Sequence, residues 1–165
     1  MKDYYSKLSP ERFKIISIGF MLFGDLLLCR WLWARFIENP KIQVFINSAV
    51  NLLIQQRQFS RADLPPDFQK SIFELMEKSL LLMFAFILFF HLINYAAYWK
   101  DKMAAFYYLR LMVWVGTFGA LSAGISSLNM GLLGYLIILL SMMYLFVAIG
   151  FIYFPIKKVR TENPE

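Results

Sequence analysis

Four long apolar runs, separated by short polar stretches, dominate the chain, and their length predicts helices that cross a membrane. At about 1.5 Å of rise per residue, residues 15–36, 79–99, 104–125 and 132–154 each suffice to span a hydrocarbon core of about 30 Å. Residues 41–59 follow another pattern. Ile42, Phe45, Ile46, Ala49, Leu52 and Leu53 share one helical face, while Asn47, Asn51, Gln55 and Gln58 repeat on the other. Such a helix is too polar on one side to enter lipid, and is expected on the membrane surface or against a neighbouring segment. The expected fold is therefore all-α: a polytopic membrane protein of one domain over residues 1–165, a four-helix bundle of transmembrane helices with an outward-facing amphipathic helix between the first and second spans.

Local signals place the boundaries. Ser9, Pro10 and Glu11 read as the cap and first turn of the first helix, and Asn39 and Pro40 as the cap and first residue of the amphipathic one. Leu64, Pro65 and Pro66 end a break, after which Asp67 supplies a first-turn acid. From there helical character holds to Trp99, longer than the bilayer requires, so the first turns stand outside. Their stripe of Phe68, Ile72, Leu75 and Met76 is the expected partner of the amphipathic helix. Residues 37–78 would thus make an extramembrane helical cap. Tyr95, Tyr98 and Trp99, with Phe106, Tyr107 and Tyr108 across the turn at Lys100, Asp101 and Lys102, read as an interfacial aromatic belt.

Composition strengthens the membrane reading and removes others. Apolar residues make up 59% of the chain, beyond the roughly 45 to 50% of soluble domains. The formal charge of +6 comes from Lys and Arg scattered at the ends of apolar runs, which is topology and not a nucleic-acid stripe. Residues 1–14 hold four Lys or Arg, the second loop two and the tail three, while the loop of residues 126–131 holds none. The positive-inside rule then puts both termini inside and the cap outside; the expected location is a bacterial inner (plasma) membrane, with the cap in the lumen instead if the membrane is an organelle's. Basic residues ahead of the first run resemble a signal peptide, but the run is too long, is interrupted by Asp25 and Arg30, and lacks a small-residue cleavage site. Cys29 is the only cysteine, so no intramolecular disulfide or cysteine-based metal cage can form.

Asp25 is the residue that needs a partner, because an aspartate at the centre of a membrane helix is costly. His91 lies at a matching depth in the second span, with Asn94 one turn further along. An acid and an imidazole facing each other could hold or relay a proton. The bland alternative is a satisfied pair, or Asp25 bonded to Asn94, Ser and Tyr groups, that fixes helix register. Arg30, nearer the outside, is expected to pair with Glu74 or Glu77. In the third span Gly116, Ala120 and Gly124, with Gly119 and Ala123 beside them, form one broad small-residue face for packing on the fourth span or between copies.

Enzyme readings fail on these residues, and no catalytic residue is assigned. Ser126 after Gly124 superficially suggests an intramembrane serine protease, but His91 lies at the other end of its span. Aspartyl chemistry needs a second intramembrane aspartate. No metal or cofactor motif is present. The sequence is expected to encode a non-enzymatic subunit or scaffold that packs with membrane lipids and with other membrane proteins or copies of itself. The alternatives are a proton- or ion-conducting oligomer or transporter subunit using Asp25 and His91, and a lipid-handling protein.

Overall fold

Proline lacks the amide hydrogen that the first turn of a helix cannot pair, and Pro10 opens the first long helix among the described residues, α1 (Pro10–Phe36). The Ser9 hydroxyl caps it, accepting from the Arg12 amide at 3.2 Å. The device repeats at α2 (Pro40–Gln55), where Asn39 Oδ1 accepts from the Lys41 amide at 3.1 Å. The computed structural model describes residues 5, 7–56, 65 and 67–155, leaving aside the side chains of Leu53 and Gln69. Most of the expected break at 59–66 and the basic tail from Lys157 lie outside these residues.

Three further long helices follow: α3 (Phe68–Trp99), α4 (Met103–Ser126) and α5 (Leu132–Tyr153), with a 3₁₀ turn at Leu128–Met130 between the last two. Among the described residues, four helices are long and apolar enough to cross a membrane: α1, α3 from Lys70, α4 and α5. Two residues with positive φ shape the connections. Asp101, at φ 57°, turns the chain between α3 and α4, a conformation that aspartate tolerates better than most side chains. Gly131, at φ 63° and ψ −132°, sits in a region that is essentially glycine's own and starts α5.

The chain divides into two compact units, Met1–Leu27 with Phe89–Glu165, and Leu28–Leu88. In the first, α4 and α5 form the tightest helix pair. Gly134 makes the approach possible, because a Cβ there would run into the backbone carbonyl of Ser127. The row of Gly116, Ala120 and Gly124 faces α5: Gly116 lies under the Tyr144 ring, and Gly124 against Ile138 and the Gly134 carbonyl. Gly119 does not join it. A Cβ at Gly119 would meet nothing within 4 Å, and Ala123 is only half-buried, so within the chain the row that packs on α5 is a narrow one. Residues three apart on a helix diverge by about 60° around it, enough for one row to face α5 and the other to face away.

Lipid supplies no hydrophobic drive between helices, so close ring and backbone contact must do the holding. Phe151 is the centre of an aromatic cluster that meets Phe13, Tyr98 and Phe106 edge-on, with centroids 5.7, 5.5 and 5.3 Å away. Gly150 leaves the space that the Phe13 ring fills. Tyr5 adds a polar tie, its hydroxyl donating to the Phe146 carbonyl at 2.7 Å. Tyr98 and Phe106 are thus core residues and not belt residues. Helical phase separates them from their neighbours Trp99 and Tyr107, which are exposed.

The second unit is more open. On α2 only Val50 is buried among the described side chains, with Ile42, Ile46 and Ile54 half-buried. Phe45 and Leu75, expected in contact across a covered cap, are 69% and 66% exposed. The chain covers one edge of the apolar arc of α2 and leaves Phe45 and Leu52 bare at the other.

Candidate functional site

Asp25 follows Gly24 on α1, and the pair acts together. The Tyr144 hydroxyl of α5 occupies the place where a Cβ of Gly24 would stand, and Gly116 of α4 lies on the same ring. Two glycines on two helices therefore seat one tyrosine beside the acid. On α3, His91 and Tyr95 are four residues apart, so they share a face and reach the same point. His91 Nδ1 lies 2.8 Å from Asp25 Oδ1, and the Tyr95 hydroxyl donates to Oδ2 at 2.6 Å. The carboxylate is 6% exposed, and both of its oxygens are bonded. Tyr108 of α4 closes the cluster from the side, its ring meeting the His91 ring edge-on with centroids 6.1 Å apart.

Magnitudes explain why the acid is tolerated. An aspartate at the centre of a membrane helix costs about 2.5 to 3.5 kcal/mol. A hydrogen bond to a charged acceptor contributes about 1.5 to 3 kcal/mol, so two of them offset that cost. Every buried side-chain nitrogen and oxygen among the described residues has a partner, as low-dielectric surroundings demand. The same bonds join α1 to α3. The α4–α5 seam carries a smaller counterpart, in which the Ser141 hydroxyl donates to the Thr117 carbonyl at 2.8 Å.

The chemistry open to this arrangement is proton binding. With Asp25 as carboxylate, His91 Nδ1–H donates to it. A second proton then adds at Nε2 without breaking that bond. Tyr95 fixes the other oxygen, so the carboxylate does not turn. Only Asp25 and His91 of the cluster are strong metal donors, and they are bonded to each other; no group of three His, Cys, Asp or Glu side chains forms among the described residues.

Of the residues expected at this site, Asp25 and His91 meet. Asn94 does not: its amide donates to the Phe90 carbonyl of its own helix at 2.9 Å. Tyr95, expected in the interfacial belt, instead points inward. Its signal was the four-residue spacing from His91, which puts any side chain at that position over the same partner. Tyr144 had no comparable signal in the sequence.

Arg30 also finds another partner, binding Glu38 at 2.9 Å, eight residues on and just past the end of α1. Glu74 is flanked instead by Lys70 and Lys78, one turn away on either side, at 4.0 and 3.7 Å. Neither Glu74 nor Glu77 pairs with Arg30: Glu38 lies nearer to Arg30 along the chain, and Lys70 and Lys78 flank Glu74.

The spans and the buried acid with partners on another helix describe a helical membrane protein whose polar contacts join its own helices. Compared with known protein families, curated proteins and solved structures, the chain has no significant match.

Proposed function

We propose that this protein is a non-enzymatic integral membrane subunit, with both termini inside a bacterial inner membrane and α2 lying amphipathically along the outer surface. One observation carries the reading: among the described residues the only acid buried in a span is closed on both oxygens, whereas large apolar side chains of α3 such as Leu82 and Phe86 are bare, 74% and 71% exposed. The polar chemistry faces inward and the apolar surface outward, which suits a part that packs with other membrane proteins or copies of itself. The bare Phe45 and Leu52 of α2 suit insertion of that helix at the headgroup boundary.

A pull-down in gentle detergent tests this. Partners or further copies should be recovered in stoichiometric amount, and a lone monomer would sink the proposal. The contact of His91 with Asp25 also favours a second reading, proton-linked conduction. Liposomes containing the protein should then show a pH-dependent flux that Asp25→Asn or His91→Ala abolishes while insertion persists. Flux unchanged by either substitution excludes it.

A further inference from the structure

In the first unit, where α1 begins and α5 ends, a cleft of about 620 Å³ opens between Pro10, Glu11 and Lys14 of α1, Tyr98 and Asp101 at the end of α3, and Tyr153 of α5. Lys14 is already engaged. Its ammonium is held by Asp101 Oδ1 at 2.6 Å and the Trp99 carbonyl at 3.5 Å, and lies 6.0 Å above the Tyr98 ring. Among the described residues, the lining of the cleft therefore has no spare cation for an anionic ligand. What it presents is the Glu11 carboxylate, which makes no ion pair among the described residues, the outer oxygen of Asp101, whose side chain is 60% exposed, and the exposed Tyr153 ring, the Tyr98 ring being buried under Lys14. Carboxylates beside aromatic faces are the partners of an ammonium group.

Position narrows the ligand further. The cleft lies at the ends of three helices able to cross a membrane, beside the exposed Trp99 and Tyr153, the residue types favoured at headgroup level. Two carboxylate acceptors call for N–H donors, which a primary ammonium has and a quaternary one lacks. Lys100 and Lys102, exposed on either side of Asp101, suit a phosphate attached to that amine. We propose that this cleft binds the phosphoethanolamine headgroup of a membrane lipid, its ammonium between Glu11 and Asp101 and its phosphate towards the lysines of the α3–α4 turn. The inference is independent of the subunit reading, since a protein without partners would still hold the lipid.

Native mass spectrometry of the purified protein with equimolar phosphatidylethanolamine, phosphatidylcholine and phosphatidylglycerol tests it. Phosphatidylethanolamine should be retained about tenfold over the other two. Glu11→Gln, which leaves the Lys14–Asp101 pair intact, should reduce that preference about threefold, and Glu11→Gln with Asp101→Asn should abolish it. Equal retention of the three lipids, or a preference untouched by Glu11→Gln in a protein that still melts normally, would overturn the proposal. Displacement of the lipid by soluble phosphoethanolamine would also overturn it, assigning the cleft to a soluble amine.

Discussion

The two units satisfy their charges by opposite means. In the unit of residues 1–27 and 89–165, Asp25 takes partners 66 and 70 residues away, and the contact is buried. In residues 28–88, Arg30, Lys70 and Lys78 take partners eight or four residues away, and every side chain involved is about half exposed or more. The difference teaches what each kind of polar contact specifies. A buried carboxylate finds no free N–H on its own helix, as a hydroxyl such as Thr117 finds a carbonyl, so another helix must meet it and the bond dictates which helices pair. An exposed group has solvent as an alternative, so its bond dictates almost nothing about the fold.

The sharpest way to break this comparison is to attack packing where nothing can yield. Gly134→Ala places a Cβ against the Ser127 carbonyl and the Leu128 Cα, both backbone. It should destabilise the α4–α5 hairpin by about 3 kcal/mol, read as a shift in unfolding by tryptophan fluorescence in mixed micelles. His91→Leu comes next. It leaves the Asp25 carboxylate with Tyr95 alone and should cost about 2 kcal/mol. A double substitution with Asp25→Asn should then cost clearly less than the sum of the single ones, because the two residues share one bond. Full additivity would mean that they do not interact. Tyr95→Phe removes one bond while keeping the ring and should cost about 1 kcal/mol in the same assay. Retention of wild-type stability would show that Oδ2 needs no protein donor.

The same contrast governs what was legible in the sequence. Spans are read from length and hydropathy, which lipid enforces directly, and the helices begin and end close to the expected residues. Caps are local chemistry, so Ser9 with Pro10 and Asn39 with Pro40 stand where expected. The pairing of Asp25 with His91 was legible because a rare acid and the single histidine share a depth. Tyr95 and Tyr98 were misplaced because an aromatic near a span end has two homes, the headgroup belt or the core, and helical phase alone decides between them. Gly119 lies off the α5 contact for the same reason, since spacing along one helix does not say which way its partner lies. Asn94 and Arg30 fail for another: each found a partner nearby in its own segment, which depth matching overlooks.

The smallest predicted effect tests the exposed side of the comparison. Arg30 and Glu38 are 53% and 48% exposed at their side chains and meet through one contact at 2.9 Å. Both groups keep much of their hydration when they separate, and each gives up side-chain freedom when they meet. A double-mutant cycle of Arg30→Gln and Glu38→Gln should therefore give a coupling of about 0.5 kcal/mol or less, weakening further as salt is raised. The cycle must be run in the same micelles as Tyr95→Phe, so that the two polar contacts are compared in one surrounding. A coupling for Arg30 and Glu38 equal to the loss in Tyr95→Phe, and insensitive to salt, would mean that this pair is desolvated in the membrane. The distinction drawn between the two units would then fail at that point.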